Sequence, residues 1–196
     1  MRVIVVGGAG TIGAAVVAAL RPRHEVTTAG RTRGDLRVDI DDPESIRAFY
    51  RAAGRFDALV SAAGEAAWAP LGALTDADFA LSVRSKLMGQ VNLVRHGMEH
   101  VSDGGSFTIT SGVLATKPTP GSAAVSMVNA GLNGFGRAAA LDMPRRIRVN
   151  VVSPPWVAET LERMGRDPSE GLPASAVARA YVRSVEREDN GVVITP

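Results

Sequence analysis

Short apolar runs alternate with longer amphipathic stretches along the whole chain. The runs fall at residues 2–6, 25–29, 57–61, 106–110, 148–152 and 192–195, and several are apolar at successive positions. A strand that is apolar on both faces is one covered on both sides, as in a parallel sheet. Between these runs, residues 11–20, 43–53, 76–101, 121–141 and 174–185 carry helical periodicity. Pro43 suits a first helical turn, with Asp41 and Asp42 before it as cap candidates. Regular alternation of strand and helix predicts one α/β domain over residues 1–196. It is a doubly wound parallel sheet with helices on both faces and right-handed crossovers. Residues 153–173, with four prolines and two glycines, read as the one long loop. It follows a strand at the carboxyl edge of the sheet, where ligands bind in such folds.

The first strand runs directly into Gly7-Gly8-Ala9-Gly10-Thr11-Ile12-Gly13, ahead of the first helix. Phosphates must approach backbone N–H groups at a helix N-terminus, here those near Gly10, Thr11 and Ile12, and side chains there would block them. Gly13 lets the helix pack tightly on the strand. The pattern predicts a Rossmann-type dinucleotide site; a purely structural glycine turn is the plainer alternative. The second strand ends Thr28-Ala29-Gly30-Arg31. An acidic residue at this place accepts from a ribose hydroxyl, whereas an arginine suits a 2′-phosphate. Arg31 therefore favours NADP(H) over NAD(H), unless it is simply a solvated arginine. Arg33 is a second, weaker phosphate candidate. Asp39 and Ile40 are placed to hold the adenine amino group and face. Ala62, Ala63 and Gly64, after the fourth apolar run, are placed to line the adenine ribose, or only make a tight turn.

Charge and composition narrow the function without defining it. The net charge is +2 and the basic residues are scattered, so nucleic-acid binding gains no support. The chain has no cysteine, which excludes disulfides, thiolate catalysis and cysteine zinc sites. No apolar run approaches membrane-spanning length, and the N-terminal run leads into glycines with no cleavage-site pattern. A cytoplasmic protein acting on a small-molecule substrate is the expectation. His96 and His100 stand four apart, a zinc-binding spacing, but no third ligand is evident and no metal is expected. Tyr50 and Tyr181 read as packing residues.

Taken together, these stretches resemble the short-chain dehydrogenase/reductase family, over nearly the whole chain. Gly7 to Gly13 is similar to its glycine finger, in the GxxGxxG spacing of the family's extended members. Ser61-Ala62-Ala63-Gly64 resembles its Asn-Asn-Ala-Gly element, and Asp39-Ile40 its adenine-binding pair. Asn150-Val151-Val152-Ser153-Pro154-Pro155-Trp156-Val157 resembles the strand and turn beside the nicotinamide, which implies cofactor contacts for Pro154 and Val157, with Pro155 in place of the usual glycine. Ala130-Gly131-Leu132-Asn133 resembles the family's long helix just after its lysine. The resemblance also implies a homodimer or homotetramer, and a chain shortened in the region that covers the substrate after Val152.

The family's catalytic elements do not carry over. Its tyrosine exchanges the proton on the substrate oxygen, its lysine lowers the tyrosine pKa and binds ribose, its serine orients the carbonyl, and its asparagine holds a water. The resemblance puts Val125 at the tyrosine position and Asn129 at the lysine position. It puts Gly112, beside Ser111, at the serine position and Lys86 at the asparagine position. Lys86 is one of two lysines in an arginine-rich chain; an amine, unlike a guanidinium, can be tuned by burial toward neutral pH. Lys86 is thus either a replacement acid or a solvated helix residue. Ser111 and Asn129 are candidates for substrate and ribose contact, and Trp156 for lining the substrate pocket. Three functions stay open: an atypical NADP(H)-dependent oxidoreductase acting on a small carbonyl or alcohol, a non-redox isomerase or cyclase, and a nucleotide-binding sensor.

Overall fold

A computed structural model describes residues 1–196. Its strands are β1 (Arg2–Val6), β2 (Glu25–Gly30), β3 (Leu36–Arg37), β4 (Phe56–Ser61), β5 (Val101–Thr110), β6 (Arg148–Val152) and β7 (Val193–Ile194). They form one sheet in the order β3-β2-β1-β4-β5-β6-β7, with every neighbouring pair parallel. The helices are α1 (Thr11–Leu20), α2 (Pro43–Ala53), α3 (Asp76–Ser82), α4 (Gln90–Gly97), α5 (Ala123–Asp142), α6 (Ala158–Arg163) and α7 (Ala174–Glu186).

The period of two along β1 divides the core between the faces of the sheet. Ile4 and Val6 face a cluster with Ile46, Phe49 and Tyr50 of α2, Leu93 of α4 and Leu132 of α5. Val3 and Val5 face the other cluster, with Val16, Val17 and Leu20 of α1 and Val177, Tyr181 and Val185 of α7. Tyr50 and Tyr181 are fully buried, as packing residues should be. The Tyr50 hydroxyl donates to the Leu93 carbonyl, and the Tyr181 hydroxyl meets Thr110 Oγ1 at 2.7 Å. The chain runs outward from β1 to β2 on one side and to β4 on the other. The crevice at the carboxyl ends of these strands is the place for a ligand.

Besides the short β3, three stretches differ from the sequence expectation, each for a local reason. Residues 76–101 are not one helix. A π-helical segment, Val83–Gly89, separates α3 from α4. β5 begins at Val101 rather than 106, because its register with β4 shifts between Phe56 and Ala58 and the turn-like Ser102-Asp103-Gly104-Gly105 stays in the strand. Residues 153–173 are not an irregular loop. They contain α6, a 3-10 turn at Pro168–Glu170 and a parallel bridge from Val157 to Leu172. Their prolines stand where no N–H is needed: Pro154 and Pro155 before α6, Pro168 opening the 3-10 turn, and Pro173 just before α7.

Asp42 is the cap of α2, its carboxylate accepting from the Glu44 amide at 2.9 Å. Asp41 does not cap the helix; it lies 3.8 Å from Arg84. Asp42→Ala is expected to cost about 1 kcal/mol of stability, read by urea denaturation, because it orphans a first-turn amide. An unchanged midpoint would mean that water replaces the cap.

Candidate cofactor and active site

The turn between β1 and α1 is built by close backbone approach. Gly7 has φ +81°, and its amide donates to the Ala29 carbonyl at 2.8 Å. A Cβ on Gly7 would lie 2.7 Å from the Ala62 carbonyl oxygen, and one on Gly13 only 2.0 Å from the Gly7 oxygen. These contacts bring the start of α1 against the exits of both β1 and β4. Gly10 is the N-cap of α1 and offers no side chain to cap it; the first turn carries no acid. The first amides of the helix, with the positive end of its dipole, thus face outward without a counter-group. These residues fit a pyrophosphate.

On the β2 side of this turn is a cavity of about 160 Å³. Gly7, Arg31, Asp39, Ile40, Ala63 and Gly64 all line it. Ala62 lies just beneath, against Gly7. Asp39 is held by its own neighbours: its amide donates to Ser45 Oγ at 2.9 Å, and its Oδ1 accepts from the Asp41 amide at 3.1 Å. Arg31 Nη2 stands 3.3 Å from Glu65 Oε1. Glu65, Asp41 and Ser85 also line this cavity and were not anticipated from the sequence. The signal for Glu65 was its position directly after Gly64.

On the opposite side lies a second cavity of about 270 Å³. Ile12, Lys86, Ser111, Asn129, Pro154 and Val157 all line it, as do Val125 and Trp156. Leu114 and Thr160 were not anticipated; Thr160 lies on α6, inside the stretch read as a loop. Ser111 follows β5, and its amide donates to the Val152 carbonyl at 2.9 Å. Its Oγ is buried with no partner. Asn129 on α5 is buried, and its Oδ1 has no partner either. Gly112 makes room for the amide: a Cβ there would lie 3.0 Å from Asn129 Nδ2. Two residues that line one cavity thus each carry a buried polar atom without a partner, a need that a polar ligand or water can meet.

Lys86 reaches this cavity from the π-helical segment. π-helical turns are uncommon and frequent at functional sites. Gln90 stabilises this one. Its Nε2 donates to the Lys86 carbonyl at 3.1 Å and to the Thr110 carbonyl at 2.9 Å, and its Oε1 accepts from the Thr110 amide at 2.8 Å. The stem of Lys86 passes close to Gly64, where a Cβ would lie 3.2 Å from Lys86 Cδ. Lys86 is the one charged side chain lining the cavity. Desolvation pushes its pKa down from 10.5 to about 8, with no neighbouring charge contributing. Trp156 closes one wall, edge-on to Trp68 at 5.6 Å, with the Arg166 guanidinium 4.9 Å above its ring.

Residues 8–195 match the family model described as enoyl-(acyl carrier protein) reductase. The solved structure of a small-chain dehydrogenase in complex with NADPH superposes with a TM-score of 0.88 at 26% identity, over 100% of this chain and 96% of that one. This chain belongs to the short-chain dehydrogenase/reductase family. Another structure similar to this short-chain dehydrogenase/reductase is that of the protein lin1944 from Listeria innocua. It has a TM-score of 0.96 and 39% identity, covering 100% of this chain and 98% of that one. An uncharacterized oxidoreductase of Methylorubrum extorquens is 29% identical over 137 residues, 67% of this chain and 55% of its own length. The chain spans about half the length of the curated relatives it matches.

Within this short-chain dehydrogenase/reductase, the positions that the resemblance assigns to the family's tyrosine, lysine and asparagine are Val125, Asn129 and Lys86, and all three line the second cavity. The amine comes from the π-helical segment and the amide from α5. The two walls are in contact, since a Cβ on Gly131 of α5 would lie 3.2 Å from Leu87 Cδ1. His96 and His100 stand away from both cavities. Arg47 and Arg95 lie near His96, and His100 stacks on Tyr50 at 5.2 Å. No helix is long and apolar enough to cross a membrane.

Proposed function

We propose that this chain is an NADP(H)-dependent oxidoreductase that reduces a small carbonyl compound or oxidises the matching alcohol, with Lys86 as its proton-exchanging group. The observation that carries this reading is the pairing of two cavities across one glycine turn. One is lined by Arg31 and Asp39, and the other by a single amine and two residues, Ser111 and Asn129, that each carry a buried polar atom without a partner. The nicotinamide supplies the hydride chemistry when the cofactor is bound. The amides at the start of α1 bind the pyrophosphate, Arg31 pairs with the 2′-phosphate, and Asp39 accepts from the adenine amino group. Asn129 Oδ1 accepts from a ribose hydroxyl, and Pro154 and Val157 border the nicotinamide. Ser111 Oγ donates to the substrate oxygen and orients it. Lys86 gives that oxygen its proton in reduction and takes it back in oxidation. Val125, which exchanges no proton, leaves the room that a phenol ring would fill. Trp156 screens the site from water.

The test is calorimetric titration with NADPH and NADH. NADPH is expected to bind about tenfold or more tightly than NADH, in line with one charge-assisted phosphate pair. Arg31→Ala is expected to remove most of that difference by weakening NADPH alone. Binding of neither nucleotide would overturn the reading. Val125 supports a second reading, a nucleotide-dependent sensor. Tight NADPH binding without turnover on a panel of small aldehydes and ketones would select it.

A further inference from the structure

One ion pair ties together the two rims of the adenosine-side cavity. Arg31, just after β2, meets Glu65, just after β4, at 3.3 Å. Glu65 starts from a fixed point. Its amide donates to Ser85 Oγ at 3.1 Å, and Ser85 is only 3% exposed. Its side chain then reaches across the cavity mouth to the guanidinium. Both ends of the pair are well exposed, at 59% and 62%, so the carboxylate is a weakly held and replaceable partner.

The charges around this cavity are unusual for a site that takes a phosphate. Arg31 is the one cation lining it, against three carboxylates, Asp39, Asp41 and Glu65. Asp39 and Asp41 have other engagements, with a backbone amide and with Arg84. Glu65 alone is directed at Arg31. A carboxylate and a phosphate monoester compete for the same guanidinium edge. A 2′-phosphate at Arg31 must displace Glu65 and then remain near its negative charge. A ribose 2′-hydroxyl brings no charge and can donate to that carboxylate.

We infer that Glu65 is a specificity-determining residue, a built-in competitor for the 2′-phosphate that sets how strongly this cavity prefers NADP(H) over NAD(H). The inference rests on the proposed reading of the cavity as the adenosine site. Glu65 keeps Arg31 paired before the nucleotide enters and narrows the preference that Arg31 alone would impose.

The experiment is titration of wild type and Glu65→Gln with NADPH and with NADH by calorimetry at fixed ionic strength. The substitution is exposed and nearly isosteric, and a thermal melt verifies that the variant folds. The expected result is NADPH binding about three- to tenfold tighter in Glu65→Gln, with NADH unchanged or weaker. An unchanged or narrowed ratio of the two affinities in the variant would overturn the inference while leaving the cofactor reading in place. Wild type that favours NADH, with Glu65→Gln moving toward NADPH, would support the role of Glu65 and overturn the proposed NADP(H) preference. Wild type that binds neither nucleotide would overturn both.

Discussion

Lys86→Met is expected to abolish turnover while leaving a folded and more stable protein. Loss of a positioned acid removes about 10²–10⁴-fold in rate. No other side chain lining the second cavity carries a charge to take its place. The stability change runs the other way. Desolvation holds the Lys86 pKa near 8, below its ordinary 10.5, so the folded protein bears a cost for the charged form. Below about pH 8 the ammonium is present in both folded and unfolded states and the cost is complete. Between about 8 and 10.5 the unfolded chain holds more protons, so wild-type stability rises with pH through that window. Methionine keeps the stem without the charge. The variant should gain about 1–3 kcal/mol near neutral pH, discounted for partial exposure, and the gain should shrink above pH 8. Reduction by wild type should slow as pH rises through about 8, where Lys86 loses its proton. Initial rates on a panel of small aldehydes and ketones, with urea denaturation at pH 7 and 9.5, read all of this. An unchanged kcat would remove Lys86 from the mechanism.

Gly13→Ala is expected to damage both folding and nucleotide binding. The new Cβ would stand 2.0 Å from the Gly7 oxygen and 2.9 Å from Gly8 Cα. Both are backbone atoms that cannot swing aside, so α1 must move off β1. That helix carries Val16, Val17 and Leu20 into the core against α7, and their repacking should cost about 2–3 kcal/mol. NADPH affinity should fall about 100-fold or more, equivalent to about 2.7 kcal/mol, because the amides at the start of α1 leave their places. Gly10→Ala separates the two effects. Beyond its chain neighbours its Cβ would meet only the Gly7 oxygen, at 3.3 Å, so it should keep stability and lose affinity by intruding on the phosphate. NADPH binding by Gly13→Ala at wild-type strength would place the phosphates elsewhere.

What the sequence discloses here is what depends on local pattern. β1 and β6 are legible to the residue, because short valine-rich runs end directly at turn residues, glycines after β1 and Ser153-Pro154 after β6. The glycine turn is legible because its spacing answers a geometric demand, visible in the 2.0 Å approach at Gly13. α6 escaped because four prolines and two glycines in 21 residues look like a breaker-rich loop. Only its pairing across Val157 and Leu172 shows that the prolines stand at the segment boundaries. β3 escaped as a strand because two residues carry no periodicity. In the candidate site, Lys86 was visible as a rare residue type, whereas the Arg31–Glu65 pair joins residues 34 apart and arises only when β2 and β4 end side by side. The placement of Lys86 within a π-helical turn was equally hidden, since nothing in Val83 to Gly89 departs from ordinary helical composition.

That turn makes the position of the amine a matter of counting. A π-helical turn holds one residue more than an α-helical turn, so it behaves as a one-residue insertion absorbed without leaving the helix. Deleting a single residue before Ser85 would let the segment tighten to an α-helix. The residues on its N-terminal side would keep their phase relative to α4, which Gln90 anchors to β5, and only the side chains within the turn would change their facing. The core beneath α4 would be untouched, yet a different side chain would face the second cavity. Alignment across this segment carries the same ambiguity. A relative with an uninterrupted α-helix here is out of phase by one residue, and the counterpart of Lys86 in such a chain must be found by superposing backbones.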